Sequence, residues 1–314
     1  MALLLSDDEL TDLVSLGTAI RAVREVFRER AGELVHSGAR THVPLGDGNL
    51  VLTPGSVGKA AHAGLRLYAA GCAEDEQLTA VWNREGRLEG IVLGSALGLL
   101  RTGAIGGVAM QLLAPETVDK VAVIGPGRQA RQQVRALLAV RKPEWIELHR
   151  RDQAELPAQA EAWRREFGVR VTPAVSAETA VRGADVVIVA TTSTTPVLKA
   201  EWLGPSTHVS TFGPKRRGAH ELALGVTEWA NLLVSDFPEQ CQCDPEFFLH
   251  GTPQAARLLD LSAFVSGRMR RDPSDRSLFM NQGLNGTEVA IAALALQLAR
   301  EQERGVPLPG FPEV

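Results

Sequence analysis

The stretch Asp119-Lys-Val-Ala-Val-Ile-Gly125-Pro-Gly127-Arg-Gln-Ala130-Arg131 decides the fold, because it joins a short apolar run to a glycine-rich turn and a helical pattern. Residues 121–124 have the composition of a strand that is buried on both faces. Gly125 permits a tight turn, Gly127 has no Cβ to hold a phosphate away from the backbone, and Ala130 lets the next helix pack on the strand. The stretch therefore predicts a dinucleotide-binding strand, turn and helix.

The helix after this turn is predicted over residues 128–141. Its first N–H groups, those of Arg128, Gln129 and Ala130, have no partner within the helix and point toward the turn. Together with the positive end of the helix dipole they favour an anion. We therefore expect the pyrophosphate of a dinucleotide cofactor at this helix start.

The second strand of this unit, residues 145–149, sets the expected cofactor preference. Its tip reads His149-Arg150-Arg151-Asp152, where an NAD-specific site carries a carboxylate that accepts hydrogen bonds from the ribose hydroxyls. Guanidinium groups instead bind a 2′-phosphate through charge-assisted bonds. We predict that NADP(H) is preferred, and NAD(H) stays possible if Asp152 reaches the ribose. The alternative interpretation is a solvated basic loop that faces Asp152.

The pattern then alternates as a doubly wound sheet requires, with strands at 169–172, 185–190, 208–212 and 231–235 and helices at 155–167 and 177–182. A hydroxyl-rich loop, Thr191-Thr-Ser-Thr-Thr-Pro196, follows one of these strands. Ligands of open α/β sheets bind at the carboxyl ends of strands, so Thr191, Thr192 and Ser193 are predicted cofactor contacts. Residues 238–276 are predicted to form helices around the outside of the sheet.

The segments on either side of this unit predict a second, α+β domain. A capping box at Ser6 and Glu9 begins a helix whose apolar stripe continues to Phe27. Short strands follow at 41–45, 49–53, 64–69, 77–82 and 88–93, which favours a small mixed or antiparallel sheet. We expect the last helix, residues 287–304, to cover that sheet.

A helical segment at 99–110 is dense in small residues and contains Arg101 beside Thr102. A fixed cation in an apolar segment indicates an anion-binding role for Arg101. The alternative is a structural salt bridge.

Composition limits the classes of function. The 314 residues suffice for two domains, and 33 basic against 37 acidic side chains give a net charge of -4 without long charge runs. This argues against a nucleic-acid or membrane-surface partner. Cys72, Cys241 and Cys243 form no Cys-x-x-Cys pair, and we expect neither a signal peptide nor a membrane span, so a cytoplasmic setting is predicted. The seven histidines lack metal-ligand spacing, so no metal is expected.

Four stretches, in this order, resemble the ornithine cyclodeaminase/mu-crystallin family: Arg101-Thr102, Gly125-Pro-Gly-Arg-Gln-Ala-Arg131, Ala190-Thr-Thr-Ser-Thr-Thr-Pro196 and the loop that ends in Glu221-Leu222. The resemblance implies a Rossmann NAD(P)-binding domain at 113–286. This domain is inserted in a discontinuous substrate-binding and dimerisation domain formed by 1–112 and 287–314. It also implies a homodimer and hydride transfer between a nicotinamide and the α-carbon of an amino or imino acid.

The resemblance assigns residues one by one. Arg40 and Arg101 match the two arginines that bind the substrate carboxylate, and Arg66 stands where the family usually has a lysine. Lys215 stands where the family has its proton-transfer aspartate. The resemblance thus implies substrate binding by Arg40, Arg66 and Arg101 and catalysis by Arg101, Arg66 and Lys215. It adds Thr102 and Gly213 to the cofactor contacts and matches Glu288 to the aspartate that opens the last helix.

Lys215 has two interpretations from the sequence. It is either a buried lysine whose lowered pKa lets it exchange a proton, or part of a solvated Lys215-Arg-Arg217 cluster. We predict an NAD(P)-dependent oxidoreductase of a small amino or cyclic imino acid, of the ketimine reductase or amino-acid dehydrogenase type. The alternatives are ornithine cyclodeaminase proper and a catalytically silent NADP-binding protein.

Overall fold

The computed structural model describes residues 1–58, 61–72, 74 and 76–310, and the chain divides into two compact units. Unit 1 consists of Met1–Ala104 and Gly283–Val314, and unit 2 of Ile105–Gln282. The sequence places these boundaries at 112/113 and 286/287. One segment of chain is thus inserted into another.

Unit 1 begins with β1 (Leu3–Leu5), α1 (Asp7–Leu13) and α2 (Leu16–Arg30). Six strands follow: β2 (Val35–Ser37), β3 (Thr41–Leu45), β4 (Gly48–Val57), β5 (His62–Ala70), β6 (Gln77–Trp82) and β7 (Leu88–Leu93). Helix α3 (Ala96–Leu113) comes next, and the division between the units falls inside it.

Unit 2 continues with β8 (Lys120–Ile124), α4 (Arg128–Leu138), β9 (Trp145–His149), α5 (Leu156–Phe167), β10 (Arg170–Pro173), α6 (Ala177–Val181) and β11 (Val186–Val189). After them come β12 (His208–Thr211), β13 (Lys215–Arg216), β14 (Ala219–His220), α7 (Leu224–Trp229), β15 (Leu232–Ser235), α8 (Pro238–Cys243), β16 (Leu258–Asp260), α9 (Leu261–Val265) and β17 (Ser277–Met280). The chain returns to unit 1 with α10 (Thr287–Glu301) and β18 (Val306–Pro307).

The sheet of unit 1 is mixed, with the order β18-β1-β7-β6-β5-β4-β2, and β3 pairs with β4. Only β1 and β7 run parallel within the described pairings. Helix α10 covers one face of this sheet, as predicted: a Cβ on Gly64 of β5 would lie 3.2 Å from Val289 Cγ2, and one on Gly90 of β7 would lie 2.4 Å from Leu296 Cδ2. Glycines on these strands thus let the helix approach the sheet closely.

The prediction of one continuous N-terminal helix is wrong, because α1 and α2 are separate helices. Ser6 and Glu9 form the predicted capping box of α1, but Val14 is extended and ends it. Ser15 then caps α2 by accepting a hydrogen bond from Thr18 N. A serine three residues before a threonine supplies a new helix start, and this local signal outweighs the continuing apolar stripe.

The sheet of unit 2 confirms the predicted Rossmann-type fold class. Its eight strands are all parallel and have the order β10-β9-β8-β11-β12-β17-β15-β16. Strand β8 lies inside the sheet. The next strands in the chain, β9 and β10, lie on one side of β8, and the strands of this sheet from β11 onward lie on its other side. The direction of winding therefore reverses between β8 and β11, which is where a doubly wound sheet binds its ligand.

Two strands of this sheet differ from the sequence prediction. The sequence predicts no strand at the residues of β17, although β17 lies inside the sheet between β12 and β15. Residues 238–276 do contain the helices α8 and α9, but they also contain β16 at the sheet edge. A run of four residues without a β-branched side chain, such as that of β17, carries little strand signal by itself.

Helix α3 is long and apolar enough to cross a membrane by length and composition alone, and 72% of it is buried. A core helix of a folded domain passes the same test, so this is weak evidence for a membrane span.

A fully buried histidine joins β12 to β17. His208 Nδ1 lies 2.8 Å from Ser277 Oγ, and His208 Nε2 lies 2.8 Å from Ser210 Oγ. Ser277 Oγ gives its proton to Leu113 O, so the histidine donates from Nδ1 and accepts at Nε2, which is the neutral form. Burial, followed by the charges of Arg271 and Arg141, lowers the pKa of His208 from 6.5 to about 3.

We expect this histidine to make stability depend on pH. Its folded pKa lies below its unfolded pKa, so its stabilisation is complete above pH 6.5 and is lost as pH falls toward 3. Urea unfolding at pH 7, 6, 5 and 4 should show a slope of up to about 1.4 kcal/mol per pH unit from this group. His208→Gln should flatten that slope, whereas the exposed His42→Gln should not. An unchanged slope in His208→Gln would contradict the assignment.

Candidate functional site

A cleft of about 610 Å³ lies at the carboxyl ends of β8, β9 and β11, at the reversal point of the sheet. Its size is typical of a site for a small organic ligand. Eight predicted cofactor residues line it: Gly125, Gly127, His149, Arg150, Arg151, Thr191, Thr192 and Ser193. Gln159, Ala177 and Val197 also line it, although no sequence pattern predicts them as cofactor contacts. The β–turn–helix stretch and the hydroxyl-rich loop thus meet at one edge of the sheet.

The two glycines of the turn are required for different reasons. Gly125 has φ +79°, and a Cβ there would lie 2.7 Å from Ala190 O and from Thr191 Cγ2, so the fold itself excludes a side chain. A Cβ on Gly127 would meet no described atom within 4 Å. Packing therefore does not require glycine at 127, and its bare backbone faces the cleft. This is the fit expected for a cofactor phosphate.

Arg128, Gln129 and Ala130 form the start of α4 and do not line the cleft with their side chains. Within the described residues no side chain caps this helix at Gly127, and Arg128 is exposed. Ala130 is fully buried, which agrees with its expected packing role. These three residues offer an anion their backbone N–H groups, and their part in cofactor binding stays a prediction.

The tip of β9 is basic and lies on the cleft. Strand β9 ends at His149, so Arg150 and Arg151 are the first residues past the strand. Arg150 Nη1 is 3.8 Å from Glu155 Oε2, and these side chains are 36% and 80% exposed. Asp152 Oδ1 accepts a hydrogen bond from Ala154 N at 3.0 Å. An exposed pair at this distance is weak, so Arg150 can reorient toward a ligand.

Two further predicted cofactor residues, besides the three at the start of α4, lie outside the cleft lining. Gly213 follows β12, and its N–H donates to Glu221 Oε1 at 2.6 Å. Thr102 belongs to unit 1, where its Oγ1 donates to Gly98 O at 2.8 Å. Direct cofactor contacts by these two residues stay predictions.

The predicted substrate residues Arg40, Arg66 and Arg101 all lie in unit 1, and two of them, Arg66 and Arg101, lie against one buried carboxylate. Arg101 Nη2 donates to Glu288 Oε1 at 2.5 Å, and Arg66 Nη1 lies 3.9 Å from the same oxygen. The guanidinium of Arg66 stacks on Tyr68, with its Cζ 4.3 Å from the ring centroid, and donates to Gln77. The structural salt bridge weighed for Arg101 therefore exists, and Glu288 is its partner.

This arginine cluster carries more positive than negative charge. Burial and the charges of Arg101 and Arg40 lower the pKa of Arg66, while Glu288 raises it. Two guanidinium groups, those of Arg101 and Arg66, thus lie against one carboxylate, and Arg101 is only 5% exposed. Arg101 Nε is buried without a hydrogen-bond partner in residues 1–58, 61–72, 74 and 76–310. Buried excess charge of this kind favours an anion such as a substrate carboxylate.

Glycines make room for both buried guanidinium groups. A Cβ on Gly98 would lie 2.6 Å from Arg66 Nη2, and one on Gly283 would lie 2.2 Å from Arg101 Nη1. Gly283 also has φ +81°, which other residues rarely adopt. The sequence around the cluster therefore accommodates the arginines by removing side chains next to them.

Lys215 is buried in unit 2, so the interpretation as part of a solvated cluster is wrong for this residue. It is 7% exposed, whereas Arg216 and Arg217 are exposed. Burial lowers the pKa of Lys215, and the carboxylates of Glu221 and Asp236 oppose this shift. Its Nζ donates to Gly213 O at 2.9 Å. The solvated residues of this segment are the two arginines that follow it.

The described residues contain no group of three or more His, Cys, Asp or Glu side chains that could hold a metal ion. Cys72, Cys241 and Cys243 are free, and burial raises the pKa of the Cys241 thiol to about 12.

Comparison with known proteins gives one family and several relatives. The sequence model of the ornithine cyclodeaminase/mu-crystallin family matches residues 2–303. A Delta(1)-pyrroline-2-carboxylate reductase of Bacillus cereus is 26% identical over 327 residues, covering 97% of this chain and 98% of the relative. Two other curated relatives are 36% and 30% identical, and in each the matched part spans 64% of the relative's length.

Two solved structures have the same fold. The Delta(1)-pyrroline-2-carboxylate reductase of Thermococcus litoralis, in complex with NADH and L-proline, has a TM-score of 0.86 at 24% identity, covering 98% of this chain and 100% of that chain. An archaeal alanine dehydrogenase dimer with bound NAD has a TM-score of 0.88 at 23% identity, covering 99% of both chains.

Proposed function

The chain belongs to the ornithine cyclodeaminase/mu-crystallin family, and on that premise we propose that it is an NAD(P)-dependent oxidoreductase of a small amino or imino acid. The observation that carries the proposal is the pairing of two features in one chain. Unit 2 has a cleft with a bare glycine backbone at a helix start, and unit 1 has a buried cluster of arginines with excess positive charge. The first suits a dinucleotide and the second a carboxylate.

Each unit has its own part in the reaction. When bound, the nicotinamide supplies or accepts a hydride at the α-carbon of the substrate. Arg101 and Arg66 would hold the substrate carboxylate through charge-assisted hydrogen bonds, and Arg40 would add a third positive charge. Fixing the carboxylate restricts how the α-carbon can be oriented, which lowers the entropic part of the barrier. Glu288 keeps Arg101 in place through their 2.5 Å contact.

The proposed reaction is imine reduction or amine oxidation rather than cyclodeamination. Lys215 stands where the family carries its proton-transfer carboxylate, and Lys215 is buried among the charges of Glu221 and Asp236. A buried lysine with a lowered pKa can exchange one proton with an amine or imine. It does not supply the carboxylate on which the family's cyclodeamination depends.

A panel assay tests this function. Purified protein is titrated with NADPH and NADH, and cofactor oxidation is followed with cyclic imino acids and with keto acids plus ammonia. The reverse direction is followed with L-proline, L-alanine and L-ornithine. We expect oxidation of the reduced cofactor with an imino acid. Stoichiometric proline and ammonia from ornithine would identify a cyclodeaminase instead, and cofactor binding without turnover of any substrate would favour the silent binding protein.

For the cofactor we propose NADP(H) over NAD(H), because Arg150 and Arg151 line the cleft at the tip of β9. We also propose that the protein acts in the cytoplasm, without nucleic-acid or membrane partners. The net charge of -4 and the three free cysteines support this setting.

We further propose a homodimer, formed through the face of the unit 1 sheet that α10 does not cover. Val51 and Thr53 of β4 are buried under α10, whereas the alternating residues Leu50 and Leu52 are half-buried. This open sheet face is apolar on neighbouring strands and consists of Val43, Leu45, Leu50, Leu52, Leu65, Leu67, Leu78 and Leu93. An apolar patch on several adjacent strands is typical of a protein interface.

We expect Leu67→Arg to convert the dimer to a monomer. Leu67 pairs with Leu52 on one side and Leu78 on the other, so a charge there would be buried at the middle of the open sheet face. Light scattering coupled to gel filtration measures the mass. The matched control is Val175→Arg, a residue of unit 2 that is 83% exposed and should leave the mass unchanged. A dimeric Leu67→Arg would refute this interface.

A further inference from the structure

The carboxylate of Glu221 is fully buried and joins the end of β11 to the end of β12. Its Oε2 accepts hydrogen bonds from Thr191 N and Thr191 Oγ1, both at 2.8 Å. Its Oε1 accepts from Gly213 N at 2.6 Å and from Thr211 Oγ1 at 2.5 Å. We call Glu221 with Thr191, Thr211 and Gly213 the Glu221 clamp. Four donors from two neighbouring strand ends thus converge on one side chain.

Because Gly213 has no side chain, the carboxylate of Glu221 and the backbone carbonyl of Thr191 can both lie close to it. A Cβ there would lie 2.2 Å from Glu221 Oε2 and 2.4 Å from Thr191 O. Lys215 Nζ donates to Gly213 O at 2.9 Å, and its charge interacts with the carboxylate of Glu221. The N–H and the C=O of Gly213 are therefore both held by charged side chains. Lys215 also offsets the cost of burying the carboxylate.

The Glu221 clamp reaches the cofactor cleft through Thr191, which lines it. Thr191 Oγ1 has one proton, which it gives to Glu221, and with a lone pair it accepts a hydrogen bond from Ser193 N at 3.1 Å. The carboxylate thereby fixes the direction of the hydroxyl, and the hydroxyl fixes the backbone of residues 191–193. Thr192 and Ser193 line the same cleft.

We infer that Glu221 is a positioning residue for the cofactor, which acts by holding residues 191–193 in the conformation that binds it. The inference rests on the proposed binding of NAD(P)(H) in the cleft. Glu221→Gln replaces one acceptor oxygen by an NH₂ group, which then faces the N–H of Thr191 or Gly213. Two donors cannot pair, so one of the two strand ends must move.

The dissociation constant for NADPH and the melting temperature, measured side by side, test this inference. We expect Glu221→Gln to bind NADPH about tenfold more weakly than the wild type. The matched control is Asp275→Asn, a second buried carboxylate of unit 2, which accepts hydrogen bonds from Asn231 Nδ2 at 2.5 Å and from Asp272 N at 2.7 Å. It should lose stability but keep the wild-type affinity.

A folded Glu221→Gln protein with wild-type NADPH affinity would overturn the inference and leave the proposed function intact. If Glu221→Gln does not fold, Thr211→Val decides, because Thr211 touches the carboxylate but not the cleft. We expect its NADPH affinity to fall about threefold, and an unchanged affinity would overturn the inference. Wild-type protein without affinity for NADPH or NADH would overturn the proposed function as well.

Discussion

Arg101→Ala is expected to lower kcat/KM by about 30- to 5,000-fold, which corresponds to roughly 2–5 kcal/mol for the loss of a buried, charge-assisted pair with the substrate carboxylate. Arg101 is 5% exposed, and its Nε is buried without a hydrogen-bond partner in the described part of the chain. Cofactor affinity should stay within about twofold, since the cleft residues belong to unit 2. Steady-state kinetics with the substrate found in the panel assay measures the effect.

Removal of Arg101 also affects stability, so the kinetic effect needs a control. The variant leaves Glu288 buried with Arg66 at 3.9 Å as its remaining ion-pair partner among the described residues. A buried carboxylate that has lost its closer ion-pair partner is costly, and we expect a lower melting temperature. The double variant Arg101→Ala/Glu288→Gln should recover stability without recovering activity. If it instead recovers near-normal kcat/KM, Arg101 is structural and the substrate carboxylate binds elsewhere.

Local sequence signals predicted most of the fold. The strand, turn and helix around Gly125 are encoded within a dozen neighbouring residues, and their identity needs no distant contact. Strand β17 could not be predicted in the same way, because Ser277-Leu-Phe-Met280 becomes a strand through its neighbours β12 and β15. The break between α1 and α2 did have a signal in Ser15 and Thr18, which the apolar stripe obscured.

In the candidate site, too, some residues can be predicted from local sequence signals and others depend on contacts between distant parts of the chain. Residues at strand ends, such as Thr191, could be assigned to the cleft because parallel strands end at one edge of the sheet. The contact between Arg101 and Glu288 joins residues 187 positions apart, and only the family resemblance drew attention to Glu288. The hydrogen bonds of Glu221 have no sequence signal beyond the place of Glu221 in a loop that resembles the family. The burial of Lys215 beside exposed Arg216 and Arg217 depends on the short hairpin of β13 and β14, which has no apolar pattern.

The second large effect is expected at the tip of β9. Arg150→Ala/Arg151→Ala should weaken NADPH binding by about 10- to 150-fold, since a hydrogen bond to a charged group contributes roughly 1.5–3 kcal/mol. NADH affinity should change by less than about threefold, because NADH lacks the 2′-phosphate. Wild-type protein is expected to bind NADPH more tightly than NADH. Fluorescence titration of both cofactors at constant ionic strength gives the four dissociation constants.

The structure around this tip explains why the effect should be specific. Strand β9 ends at His149, which leaves both arginines beyond the strand, and Asp152 Oδ1 is held by Ala154 N. Arg165→Ala is the matched control, because Arg165 is 72% exposed on α5 and does not line the cleft. It removes one positive charge from the same unit where the double variant removes two, so a loss of binding free energy half as large would indicate long-range electrostatics. Two results would contradict a 2′-phosphate site: equal or tighter binding of NADH by the wild type, or an unchanged NADPH affinity in the double variant. Either result would favour Asp152 as the residue that binds the ribose of NAD(H).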